Sequence, residues 1–200
     1  MIDEIDVKYK DIIDIAKKYM ISIKDNEHNI NHMEDVINYT KELLGLINKD
    51  IDKEVCIVSA YWHDIGRIKL STGHEKLSAE MLKEELEKRD FDIEFINKCY
   101  KAIENHKLDM VPETIEGLII KDADKLAWLG SGRWKSCLDS GQDLDSIIEL
   151  LPKLRNDILY FEESRKIYDR DIVKLVNTLY RRIYDWDKVS NRKWIRYNFE

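Results

Sequence analysis

The sequence predicts an all-α protein built as a single helical bundle, and three observations predict it. Hydrophobic residues make up 44% and charged residues 36% of 200, against only 7 Gly and 2 Pro. That is a poor supply of turns for a sandwich or barrel. Apolar residues recur at three- and four-residue spacing in segment after segment. No linker, low-complexity run or internal repeat interrupts them, so one domain over 1–200 is expected, with C-terminal helices at about 143–188.

The elements follow in order. Ile5, Ile12, Ile13, Ile15, Ala16 and Tyr19 among charges predict a first amphipathic helix over 5–20, followed by the polar break "KDNEHN". Met33, Val36, Ile37, Leu43, Leu44 and Ile47 predict a second, with Asn31 and Glu34 spaced as a capping box. Val55 to Trp62 is apolar nearly all round, which predicts a central helix buried from several sides. Gly66 then reads as the left-handed residue that ends it. "STGHEKLSAEMLKEEL" restarts a helix, with Thr72 as N-cap and Glu75 at the capping-box position. Ile93, Ile96, Tyr100 and Ile103 form the stripe of a helix over 91–107, and Pro112-Glu113 opens the next, running to Gly130. "GQDLDSIIELL" predicts a short helix near Pro152, and 156–184 one or two long ones. The basic, aromatic stretch "WDKVSNRKWIRYNFE" carries no pattern that places it.

The net charge of −7 argues against general nucleic-acid binding and requires local positive charge for any anionic substrate. Cys56, Cys99 and Cys137 are odd in number and far apart, as expected of reduced thiols in a cytoplasmic protein. "MIDEIDVKYKDII" lacks a signal-peptide apolar stretch. No run approaches the roughly 18 apolar residues of a membrane span.

In "AYWHDIGRIK" an apolar run ends in His63-Asp64. An imidazole and a carboxylate at the end of a buried helix cost free energy unless a salt bridge, a hydrogen bond or a metal ion compensates them. All five histidines (His28, His32, His63, His74 and His106) fall at helix starts or ends, with His106 at helical spacing from Ile103. In "KDADKL", Asp122 and Asp124 are two positions apart on a helix, so they point about 200° from one another. Asp122 shares the stripe of Leu118 and Leu126, and Asp124 that of Ile120 and Ala127. Both surroundings are apolar, and the geometry does not choose between the two aspartates.

The order His32, then His63-Asp64 in "HDIG", then "DADKL" resembles the HD-domain superfamily of metal-dependent phosphohydrolases over about residues 28–133. The resemblance implies an HD-type helical bundle in which His32, His63, Asp64 and Asp124 bind a first metal. "GHEKLSAEML" and "AIENHK" resemble the additions found in two-metal branches and offer His74 and His106, with Asp64 bridging the ions and central to catalysis. With one metal, His74 and His106 would instead contact substrate phosphate. Several branches are not matched. Gly66-Arg67 stands where guanosine tetraphosphate hydrolases and short 5′-nucleotidases carry acidic residues. The "GYP" of cyclic-dinucleotide phosphodiesterases is absent after His106. "HNINHMEDV" has Asn29 and Asp35 where small nucleotide pyrophosphohydrolases have an aspartate and an arginine.

A bound divalent ion lowers the pKa of water towards neutrality and neutralises phosphoryl oxygens, which is what phosphoester hydrolysis needs. The mixed N/O set suits one or two ions of Mn, Fe, Co or Ni better than a closed zinc site, with Mg possible. The implied substrate is a small phosphate compound, in the first place a nucleotide. Arg67, Lys69, Lys125 and Arg133 are candidates to bind it, with His28 a further candidate that a loop position would leave exposed. Trp128 and Trp134 flank the Gly turn, where core packing is the plainer role and stacking on a base the alternative. Glu75 is explained by capping before general acid catalysis, and the acid is unassigned. Two other classes fit the same residues: a di-iron oxygenase of the HD type and a non-catalytic nucleotide-binding module.

Overall fold

The structure, a computed structural model, describes residues 2–23, 28–130, 139, 141 and 144–190, without the side chains of 2, 3, 144–147 and 178–190. The described residues contain helices and turns and no strand. The helices are α1 (Ile2–Lys8), α2 (Lys10–Ser22), α3 (Ile30–Leu46), α4 (Lys53–Trp62), α5 (His74–Glu87), α6 (Ile93–Ile103), α7 (Ile115–Leu126), α8 (Leu144–Lys153) and α9 (Glu162–Ser190). Short 3₁₀ turns cover Ile65–Ile68 and Ala127–Leu129, and a π turn covers Leu154–Ile158. None of the described helices is long and apolar enough to cross a membrane.

Helix α4 is the axis. Every residue from Val55 to Trp62 is buried, as its all-round apolar sequence requires. Helices α2, α3, α6 and α7 pack around it. The Trp62 indole N–H donates to Ile12 O at 3.2 Å, tying the end of α4 to α2. Helix α9 lies against α7 and α3, where Tyr39 of α3 donates to the Asp171 carboxylate at 3.1 Å. Cys56 and Cys99 are free, buried thiols; Cys137 lies outside the described residues.

Local details differ from expectation for physical reasons. The first helix is two, broken at Tyr9, whose ring stacks on Phe95 and Phe91 at 5.4 and 5.9 Å while its hydroxyl donates to Glu54. Asn29 rather than Asn31 caps α3, accepting from Asn31 and His32 N–H. Thr114 caps α7. Helix α6 stops at Ile103, so His106 lies beyond it in a loop.

The largest correction concerns the two glycines around the HD pair. Gly66 has no positive φ and does not end α4; it lies inside the 3₁₀ turn. Its role is close approach, because a Cβ there would stand 2.2 Å from His74 O and 2.9 Å from Ser78 N. The Gly66 N–H donates to Ser78 Oγ at 2.8 Å. Gly73, with φ +78°, supplies the left-handed turn and is the N-cap residue of α5. Thr72 therefore does not cap, and α5 has no side-chain cap hydrogen bond for Glu75 to complete.

Candidate metal centre

Four histidines reach one spot from four separate elements. His32 sits in the first turn of α3, His63 just past α4, His74 at the first residue of α5 and His106 in the loop after α6. All are buried, as are Asp64 and Asp124. Three of the rings are oriented by the same device. His63, His74 and His106 each place Nδ1 against the backbone carbonyl three residues earlier: Ala60 at 2.8 Å, Ser71 at 3.1 Å and Ile103 at 2.7 Å. A carbonyl accepts, so Nδ1 carries the proton and Nε2 is left with a lone pair. Burial pulls the His63 pKa down to about 3, against the pull of Asp64, so that ring is neutral near neutral pH.

The Nε2 atoms converge on Asp64. Its Oδ1 is 3.0 Å from His74 Nε2 and 3.6 Å from His106 Nε2. Its Oδ2 is 3.5 Å from His32 Nε2 and 3.6 Å from His63 Nε2. Asp124 Oδ1 lies 3.2 Å from His32 Nε2, and the His32 and His63 Nε2 atoms are 3.4 Å apart.

Lone pairs that face one another at such distances in a buried space repel unless a cation lies among them. Asp64 Oδ2, buried without a hydrogen-bond partner, is the clearest sign of that demand. Two groups have ligand atoms close enough to share an ion: His32, His63 and Asp124, and Asp64, His74 and His106. The donors present thus fit divalent metal ions, with imidazole and carboxylate in each group.

The structure also separates the two aspartates of α7. Asp124 faces His32. Asp122 faces away, accepting the backbone N–H groups of Tyr160 at 2.9 Å and Phe161 at 3.0 Å, at the start of α9. We expect Asp122→Ala to destabilise the fold by about 1–3 kcal/mol, the cost of orphaning buried donors. Its metal content should stay unchanged, whereas Asp124→Ala should lose metal. Denaturant melts with elemental analysis of both variants check this, and metal loss from Asp122→Ala would contradict it.

A cleft of about 260 Å³ opens beside the centre, lined by His74, His106 and Asp124 and by Arg67, Glu75, Lys107, Lys125 and Trp128. Leu150 of α8 and Leu154 of the π turn close one side. Arg67 is half-buried, with Nε 3.0 Å from Asp64 Oδ1. The Lys125 ammonium pairs with Asp124 Oδ2. Trp128 both packs against the core and lines the cleft. Two substrate candidates fall elsewhere. Lys69 is exposed and does not line the cleft. His28 is buried rather than exposed, its ring edge-on to His32 at 5.4 Å. Arg133 and Trp134 lie outside the described residues. Lys107 was not anticipated, although its place next to His106 offered a signal; Leu150 and Leu154 offered none.

The HD domain family matches residues 29–129 of this chain, half its length. The chain belongs to the HD-domain family. The family is one of metal-dependent hydrolases. This HD-domain chain also resembles the crystal structure of a predicted HD superfamily hydrolase from an uncultured Thermotogales bacterium, with a TM-score of 0.67 and 23% identity. The match covers 88% of this chain and 92% of that one. At that identity the likeness shows a shared fold. No curated protein matches the chain.

Proposed function

We propose that this HD-domain protein hydrolyses a phosphoester or phosphoanhydride bond of a nucleotide or other small phosphorylated compound, using two divalent transition-metal ions. His32, His63, Asp124 and one oxygen of Asp64 would hold the first ion; His74, His106 and the other oxygen would hold the second. The observation that carries this reading is the division of Asp64, each oxygen facing its own pair of imidazoles. When bound, such ions supply Lewis acidity to phosphoryl oxygens and to water.

The chain's own residues supply the rest. The Nδ1 contacts to carbonyls fix three rings in the orientation a ligand needs. Arg67 steadies the Asp64 carboxylate through Nε and, with Lys107 and Lys125, gives the cleft the local positive charge that an acidic protein needs to hold a phosphate. That concentration of cations favours phosphoryl chemistry over oxidation of a neutral substrate.

Purified protein loaded in turn with Mn²⁺, Fe²⁺, Co²⁺, Ni²⁺ and Mg²⁺ should release phosphate or a nucleotide product from a panel of phosphoesters and anhydrides. Transition metals should exceed Mg²⁺, with metal content near two per chain. Two irons with oxygen consumption and no hydrolysis would favour the di-iron oxygenase. Tight nucleotide binding without turnover in any metal would favour the binding module.

A further inference from the structure

Glu75 is a buried carboxylate with one oxygen that nothing in the fold satisfies. It is 5% exposed, and its Oε2 has no hydrogen-bond partner. Glutamate in the first turn of a helix ordinarily completes the cap, but α5 begins at Gly73 with no side-chain cap bond. The nearby His74 Nδ1, 3.7 Å from Oε2, directs its proton to Ser71 O. An unsatisfied carboxylate oxygen at such depth is costly unless something else donates to it. Glu75 lines the cleft, so the donor can come from there.

Resting on the phosphohydrolase reading, we propose that Glu75 selects the substrate by accepting a hydrogen bond from a hydroxyl on the carbon framework that carries the phosphate. A phosphate oxygen is itself an anionic acceptor and is repelled by a carboxylate, so it falls to Arg67, Lys107 and Lys125. Glu75 therefore reads the organic part. Its place beside His74 sets the donor close to the phosphoryl group, as a sugar or polyol hydroxyl is and a base amino group is not. Trp128, Leu150 and Leu154 give the remaining organic portion an apolar wall. The cleft, at about 260 Å³, is smaller than the roughly 300–1,000 Å³ that houses drug-sized ligands. A mononucleotide or sugar phosphate suits it. Inorganic polyphosphate, which has no hydroxyl donor on carbon, does not.

The test compares binding to the Mn²⁺-loaded wild type, Glu75→Leu and Glu75→Gln by calorimetry, with elemental analysis of each. Ribonucleoside 5′-monophosphates are set against their 2′,3′-dideoxy counterparts, glycerol 3-phosphate against propyl phosphate, and inorganic phosphate serves as the anion without a framework. Wild type should favour the hydroxylated member of at least one pair by about 10- to 100-fold, the range for a hydrogen bond to a charged group. Glu75→Leu should erase that preference while keeping its metal and its affinity for inorganic phosphate. Glu75→Gln, which keeps an acceptor oxygen and the shape, should retain part of it. The inference is overturned if wild type discriminates in neither pair. It is also overturned if either variant loses metal or inorganic phosphate affinity to the same extent, since Glu75 would then be acting through His74. Absence of turnover with this binding pattern intact would strike the phosphohydrolase reading and leave the role of Glu75 standing.

Discussion

Asp64→Ala should eliminate hydrolysis and leave the metal-free protein no less stable than wild type. The two halves of that result have one cause. Asp64 faces four imidazole Nε2 atoms at 3.0 to 3.6 Å, an arrangement that is useful around cations and repulsive without them. Removing the carboxylate gives up the Arg67 ion pair but relieves four such repulsions, so the apo variant should melt at or above the apo wild type. Adding metal should then separate them. Wild type should gain about 2.7 kcal/mol at a metal concentration a hundred times its Kd, and Asp64→Ala far less. Loss of groups that merely orient metal ligands costs about 10–100-fold, so loss of a bridging ligand should exceed that in kcat/KM. Thermal melts with and without Mn²⁺, alongside phosphate release, decide the matter. A variant that still carries two ions and turns over would remove the bridging role altogether.

Gly66→Ala should be nearly as damaging without replacing any ligand. The added Cβ would meet the backbone of α5 at His74 O, 2.2 Å away, and at Ser78 N, 2.9 Å away. Both are main-chain atoms, so no side chain can swing aside; the helix start must move, and His74 with it. Overpacking of this kind costs about 1–3 kcal/mol. The displacement should weaken the site of Asp64, His74 and His106 before that of His32, His63 and Asp124. Chemical denaturation should record the lost stability, and elemental analysis should show metal content falling from near two ions towards one. A Gly66→Ala protein with unchanged metal content and stability would mean that α5 tolerates the shift.

How much of this was legible beforehand depends on what kind of fact was needed. Helical periodicity marked α3, α4 and α6 because burial of one face, or of all faces, writes itself into composition. The HD-domain assignment was legible in the order and spacing of His32, His63-Asp64 and Asp124. What faces a helix face is written elsewhere in the chain. That is why Asp122 and Asp124 were indistinguishable until the start of α9 was found against one of them. The function of Gly66 was misread for the same reason. A glycine after a helix suggests a turn, while the close approach that actually requires it involves a segment eight residues away. Glu75 looked explained by capping because Thr72 stood three residues before it; Gly73 took the cap position and left the carboxylate unspent. The apolar wall of Leu150 and Leu154 belongs to helices that carried no motif at all.

The three carbonyls that hold His63, His74 and His106 have a consequence for how such a centre can vary. Their acceptors are main-chain atoms, which no point substitution deletes, so the aim of these rings is inherited from the ends of helices. Lineages can therefore rewrite the walls of the cleft and exchange one substrate for another while the reactive heart stays in tune.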